Sequence, residues 1–408
     1  MMKPFTNTRS GLAAVLAILA AAGCAPVDGP KSASVSSSEQ QRSGALALFP
    51  VLDAEAKPEE NVVISPASID LAFGLLHAGA RGDTRQQIED ILPPPADPLG
   101  FESDERDVRV NLSNALFLDR DFRFRDSYLR ETRRTYEAEA ETVDFADKQA
   151  SADTINAWAN EATEGLIPEV IAPSGIEDTM IAVLANALYF EGLWRTKLMS
   201  QQELPFLFGN GEEKPFTFVG ETFDTLYTKS SGWEAIRLPY RNPRYAMDIM
   251  IPEDREIMPA APSLEFIERM KLRLDDEDPE LVRVQIPQFE TDYSQSLVAS
   301  LQKLGLTLPF SEVEADLSGI AEPGQRPISV SEVKHVTKLQ VYDEGTKAAA
   351  VTTISIVVSG ARLLPKEPIL FRADRPFIVV LRDLERDAVL FIGRIADPQP
   401  FDPQVIEP

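Results

Sequence analysis

The chain is poor in the residues that most often carry catalysis and metal binding. Its 408 residues contain one cysteine, Cys24, and two histidines, His77 and His335. An intrachain disulfide is therefore impossible, and no set of four soft ligands exists for a structural zinc. No G-x-S-x-G, H-E-x-x-H or P-loop spacing occurs. Long apolar runs are missing too: Leu12 to Ala22 is too short for an ordinary spanning helix. Positive charge is scarce, with 40 Lys and Arg against 65 Asp and Glu, a formal charge of −25. That balance opposes nonspecific attraction to nucleic acid phosphates or anionic lipid. What the chain does have is 44% hydrophobic and 26% charged residues. Such a composition fits a soluble globular body with a sizeable core and excludes a disordered or fibrous chain.

Lys3 and Arg9 precede Leu12 to Ala22, and small residues follow up to Cys24. This is a basic n-region, a short h-region and a small-residue cleavage site, so residues 1–23 read as a signal peptide. The run Ala21-Ala22-Gly23-Cys24 resembles a bacterial lipobox, in which the cysteine becomes the lipid-bearing first residue. Ala21 stands where that motif usually carries Leu, and cleavage by the general signal peptidase is the open alternative. Residues 24–43, rich in Ser, Gly, Pro and Gln, read as a flexible tether. The expected location is extracellular or periplasmic. With Cys24 lipidated it is the outer membrane, because Ala25 is not the Asp of an inner-membrane retention signal.

From residue 44 onward no long linker or internal repeat appears. Helical patterns cover Gly44 to Ala54, Ser68 to Leu76, Thr84 to Ile91, Ser127 to Tyr136, Ala150 to Thr163, Leu264 to Arg269 and Ser294 to Leu304. Strand patterns cover Asn61 to Ile64, Val110 to Leu118, Met180 to Phe190, Ala235 to Leu238, Tyr245 to Ile251, Leu281 to Pro287, Lys334 to Tyr342, Val351 to Val358, Ile369 to Arg372, Phe377 to Arg382 and Val389 to Ile395. Helices cluster early and strands late, which points to an α+β architecture with large, mainly antiparallel sheets. Both histidines read as structural. Gly209-Asn210-Gly211 reads as a hairpin turn. Asp275-Asp276-Glu277-Asp278 reads as a solvated charge run. No nucleophile and base stand together, so the residues give no support to an enzyme.

The stretch Asp343-Glu344-Gly345-Thr346-Lys347-Ala348-Ala349-Ala350-Val351-Thr352 closely resembles the hinge of the serpin family. Phe371-Arg372-Ala373-Asp374-Arg375-Pro376-Phe377 with Leu390-Phe391-Ile392-Gly393-Arg394 resembles its C-terminal signature. Asn186 to Trp194, Ile64 to Ile69, Leu317 to Ile320 and Ser329 to His335 match in the family's order, so the resemblance spans about Ser43 to Pro398. It implies one serpin domain over 44–398 with three sheets, about eight or nine helices and an exposed reactive-centre loop, followed by a tail at 399–408. It also implies a suicide substrate. A serine protease, or in some relatives a cysteine protease, cleaves the loop, which then inserts into the main sheet and traps the acyl-enzyme. The implied partner is that protease alone, met by a monomer without cofactor or metal.

Alternate residues of a strand share a face, so Thr346, Ala348, Ala350, Thr352, Ile354 and Ile356 would point one way and Lys347 the other. Small, uncharged side chains on that face permit insertion without burying an unpaired charge. Counting along the family's loop from Asp343 places the scissile bond at Ser359-Gly360, suited to the shallow pocket of elastase-like or subtilisin-like enzymes. Arg362-Leu363 is the alternative, for trypsin-like enzymes. By resemblance, Ser65, Ser68, Asn186 and His335 form the family's shutter, a buried polar cluster beneath the opening sheet, and Trp194 marks the breach above it. Two departures stand out. The breach salt bridge of some relatives would here face Gln288 and Asp343, which is no ion pair and implies a weaker latch. Leu92 to Asp107 is short, Pro-rich and acidic where relatives carry a longer helical region, heparin-binding in some. A glycosaminoglycan cofactor is not expected there. The reading from another class is a serpin-fold binding protein that does not inhibit.

Overall fold

The computed structural model describes residues 44–101, 103–105, 107–255, 262–346 and 367–400. Within them lie three sheets. A six-stranded sheet runs β1 (Val62–Ile64), β17 (Ala388–Ile395), β16 (Phe377–Asp383), β10 (Tyr245–Pro252), β9 (Trp233–Pro239), β8 (Tyr227–Ser230). A four-stranded sheet runs β15 (Ile369–Arg372), β11 (Glu280–Pro287), β7 (Glu213–Thr225), β6 (Ser200–Leu207). The largest runs β18 (Gln399–Pro400), β12 (Phe289–Ser296), β13 (Glu332–Val341), β14 (Gly345–Thr346), β5 (Ala182–Leu193), β3 (Val108–Asp119), β2 (Ser103–Glu105), with β4 (Glu139–Val143) paired to β3. Most pairings are antiparallel. The exceptions are β13 with β5, β3 with β4 and β11 with β15.

Seven α-helices lie among the described residues, below the eight or nine implied by resemblance: α1 (Leu48–Glu55), α2 (Pro66–Gly79), α3 (Gly82–Ile91), α4 (Asp126–Tyr136), α5 (Lys148–Ala162), α6 (Leu264–Asp276) and α7 (Val298–Lys303). The described part of Leu92 to Asp107 holds a 3-10 turn at Pro98–Phe101 and the short strand β2. Every strand expected from the sequence is present except Val351 to Val358, which falls outside the described residues. Ser294 to Leu304 is corrected. Ser294–Ser296 extends β12, which pairs with β13 in continuous register, and the helix begins only at Val298. Gln399 and Pro400, assigned to the tail, pair with Glu290 and Phe289.

The largest sheet is covered on both faces. Strand β5 is a near-continuous apolar run, as such double coverage requires. Its Val183, Ala185 and Ala187 pack outward with Phe117, Ile155, Trp158 and Ala159 beneath α5. Leu184, Leu188 and Phe190 face the opposite way, into the main core with Leu71, Phe73 and Leu75 of α2. Both helices start on capped ends. Asp147 accepts the Ala150 N–H at α5, and Ser65 accepts the Ser68 N–H at α2, with Pro66 in the first helical position.

The run Asp275 to Asp278 is exposed as expected, but Asp275 and Asp276 close α6 instead of lying in a loop, and Asp275 also enters a charge network. Asp248, fully buried on β10, accepts two bonds from Arg237 of β9 (2.6 and 2.9 Å) and one from Arg382 of β16 (3.2 Å). Arg237 and Arg382 also reach Asp275 at 2.6 and 3.2 Å. Two buried guanidinium groups are tolerable only beside such carboxylates. Asp248→Ala leaves them short of a partner, and urea denaturation is expected to show a loss of about 3–5 kcal/mol.

Candidate functional site

Strands β5 and β13 touch directly over only part of their length. They pair in parallel from Val183 to Ala187 and from Glu332 to Val336, with His335 opposite Asn186. Above that contact they diverge, and β14 lies between them: Gly345 and Thr346 pair with Leu193 and Gly192 of β5, and Thr346 with Val341 of β13. The top of the sheet is a wedge with the expected hinge seated in its mouth.

Two glycines make the wedge narrow enough. A Cβ on Gly345 would stand 2.1 Å from the Gly192 carbonyl oxygen, and one on Gly192 would stand 2.7 Å from the Tyr240 ring. Thr346 points inward and is buried, its hydroxyl 2.8 Å from that of Tyr240. Trp194 stacks on Tyr240 with ring centroids 4.4 Å apart. Its indole N–H donates to the Tyr342 carbonyl at 3.0 Å, and its backbone N–H to the Glu344 carbonyl at 2.8 Å. Leu198 N–H binds the Asp343 carbonyl at 2.8 Å. Trp194 thus stands at the head of the sheet, holding the hinge segment by its backbone.

The expected absence of an ion pair at the hinge is corrected here. Gln288 is buried and donates its backbone N–H to Thr217, while the cation facing the hinge is Lys197. Its ammonium pairs with Asp343 at 3.2 Å and also with Glu344. The hydrogen bond to Glu344 holds the Lys197 pKa above its ordinary value. Lys197 lies in the loop after β5, in no recognisable motif, and the latch is an ion pair after all.

Below the wedge the four expected shutter residues meet. Ser65 N–H donates to His335 Nε2 at 3.1 Å, so Nδ1 carries the proton and donates to Asn186 Oδ1 at 2.8 Å. The Asn186 amide then donates to the Ser68 carbonyl (2.6 Å), to the Ser68 hydroxyl and to Asn114 Oδ1 (2.8 Å). All five side chains are buried. Asn114 escapes the sequence reading although a signal exists: it sits on β3 at the inward parity of Val110, Leu112 and Leu116. His77, the other histidine, is confirmed at the end of α2, 3.6 Å from Glu89. Ala348, Ala349, Ala350, Ser359, Gly360, Arg362, Leu363 and Cys24 lie outside the described residues.

A mixed α+β fold of three sheets, with one sheet parted at its head, is the serpin arrangement. The family model described as "Serpin (serine protease inhibitor)" matches residues 39–398, and the chain belongs to this family. Leukocyte elastase inhibitor of Bos taurus is 35% identical over 376 residues, covering 87% of this chain and 97% of that protein. Antithrombin-III of Mus musculus is 30% identical over 359 residues, covering 83% and 77%. Among solved structures, native protease nexin-1 with heparin aligns with a TM-score of 0.75 at 24% identity, covering 87% of this chain and 98% of that one.

Burial holds His335 neutral, with its pKa pushed down to about 3 from 6.5. Between these values the unfolded chain binds the proton and the folded one does not. The contribution of this histidine is therefore fully present above pH 6.5 and is lost as pH falls toward 3. Urea midpoints followed from pH 7 to pH 4 should fall less steeply in His335→Gln than in the parent; parallel slopes would contradict a buried neutral imidazole. Lys197 is more exposed, and solvent screens its pairs. Lys197→Met should cost less than about 1 kcal/mol in low-salt urea melts and nothing measurable in high salt.

Proposed function

We propose that the chain is a suicide-substrate inhibitor of a serine endopeptidase, cleaved at Ser359-Gly360, whose loop then enters the sheet between β5 and β13. The observation that carries this reading is the seat of Gly345 and Thr346 at the head of the wedge. Extending that register downward brings Ala348 and Ala350 onto the inward side shared with Thr346. Thr352 then comes level with Asn186 on one edge and His335 on the other. Advance of the strand must separate those two side chains, and a threonine hydroxyl can both donate and accept in their place. Each ladder bond contributes only about 1 kcal/mol net, so a dozen or so outweigh the ordering of the loop only with the apolar burial of the inserted strand added. Lys347 takes the outward side, level with Glu191, whose carboxylate is held by Arg109 of β3.

A relative named for elastase inhibition at 35% identity supports a shallow-pocketed target, in keeping with Ser359. Cleavage at Arg362-Leu363 is the trypsin-directed alternative. On this reading residues 1–23 are removed, Cys24 carries lipid in a bacterial envelope, and 24–43 tether a monomeric inhibitor outside the cytoplasm.

The test mixes the purified protein with elastase, subtilisin and trypsin and looks for an SDS-stable complex and a released C-terminal peptide. A complex with a peptide beginning at Gly360 is expected; a peptide beginning at Leu363 moves the specificity residue to Arg362. Thr352→Arg, which puts a charge beside His335 and Asn186, should give cleavage without complex. No complex with any protease, and no gain in heat stability after loop cleavage, would sink the reading in favour of a binding protein.

A further inference from the structure

The four-stranded sheet carries a polar recess of about 330 Å³ on one face. Its floor is set by register. Arg372 of β15 pairs with Gln285 of β11, Gln285 with Gly220 of β7, and Gly220 with Ser200 of β6, so these four residues form one row across the whole sheet. Gly220 is needed because a Cβ there would stand 2.3 Å from the Val284 carbonyl oxygen. The consequence is a gap in the row where every neighbouring strand has a side chain. Around the gap stand Arg283 and Thr222, opposed to each other in the next row, and Gln202 on β6.

The lining is rich in donors. Arg372 spends only its Nε–H within the described residues, on Gln285 Oε1 at 2.7 Å, which leaves the outer edge of its guanidinium open. That bond turns the Gln285 amide nitrogen toward Gln202, a contact of 3.5 Å at the limit of hydrogen bonding. Arg283 has no ion pair or hydrogen bond among the described residues and is exposed. The hydroxyls of Ser200 and Thr222 complete the rim. One carboxylate, Glu221, also lines the recess, with Oε1 taken by the Thr222 N–H at 2.9 Å. Two guanidinium groups converging on a glycine-floored gap are conspicuous in a chain of net charge −25.

We propose that this recess binds a small oxyanion with two or more acceptor groups, a polycarboxylate or a phosphate. Arg372 and Arg283 supply charge and planar donor pairs, and Gln285 with Ser200 fixes the orientation. The site has a mechanical consequence. β15 is a four-residue strand paired, among the described residues, only to β11, and an anion held by Arg372, Arg283 and Ser200 ties it across to β6. Binding therefore stabilises the edge strand by linkage. None of this rests on protease inhibition, so failure of one reading leaves the other standing.

Isothermal titration of the purified protein with citrate and with inorganic phosphate, each against chloride at matched ionic strength, tests the site. Saturable heat with one equivalent of citrate or phosphate is expected, with slower hydrogen exchange at the Leu370 to Arg372 amides. Arg283→Gln should weaken binding by about tenfold or more, since it removes one charged partner from an exposed position. Arg372→Gln should do the same, and circular dichroism confirms that each variant is folded. Heats indistinguishable from chloride, or unchanged affinity in both variants, would overturn the proposal. Saturation by phosphate alone or citrate alone supports it and selects the ligand class.

Discussion

Everything that distinguishes the main sheet depends on a contact five residues long. β5 and β13 are joined directly only where Val183 to Ala187 meets Glu332 to Val336, and the bond between His335 and Asn186 lies in that stretch. Parallel neighbours in one sheet ordinarily continue to pair as far as both strands run. Here both strands continue upward but pairing between them stops, and the hinge enters only at the head, beside Gly192, Leu193 and Val341. The cluster under the contact consists of neutral polar groups fixed to helix α2 through Ser65 and Ser68. An imidazole kept neutral by burial can be parted from its partner without exposing a charge to a dry interior. An apolar cluster at that place would hold by packing alone.

The six-stranded sheet is built on a different principle. It is cross-linked to α6 by Arg237, Asp248, Arg382 and Asp275, with Asp248 and Arg382 removed from solvent. Buried charges of this kind are costly to separate, so they define one arrangement of strands and penalise any slip. Neutral hydrogen bonds lie where the largest sheet parts, and full charges where the six-stranded sheet stays closed. Ion pairs near the parting, from Lys197 to the hinge carboxylates, lie at the partly solvated rim, where water lowers the cost of breaking them.

How much of this was legible in the sequence divides along physical lines. Strands such as Tyr245–Pro252 and Ala388–Ile395 are fully or largely buried, and their apolar runs announce them. Strands β6 and β12 are mostly exposed along one side and carry Gln, Glu, Asp and Ser, so their pattern merges with that of loops. Ser65, Ser68, Asn186 and His335 could be gathered only through resemblance, since they lie far apart in sequence and none is unusual where it stands. Asn114 needed no resemblance, only attention to parity, because an amide on the inward face of an apolar strand requires a partner. Lys197 had no signal. A lysine in a loop is ordinary, and its proximity to Asp343 arises from two strand ends converging.

The hinge itself shows how one stretch satisfies two demands. Gly345 is fixed by the closeness of the Gly192 carbonyl, and Gly192 by the Tyr240 ring, so the mouth of the wedge accepts only a segment that begins with glycine. Thr346, next in line, is small enough to be buried and polar enough to satisfy the Tyr240 hydroxyl. A larger apolar residue there would leave that hydroxyl without its partner, and a charged one would be stranded in the core. Backbone bonds from Trp194 and Leu198 then hold Asp343 and Glu344 regardless of their side chains. The seat of the hinge is therefore specified by backbone geometry and one hydroxyl pair, while its charges remain on the rim with Lys197. That division fixes Gly345 and Thr346 by shape and one hydroxyl pair, while Asp343 and Glu344 keep their charges where water screens them.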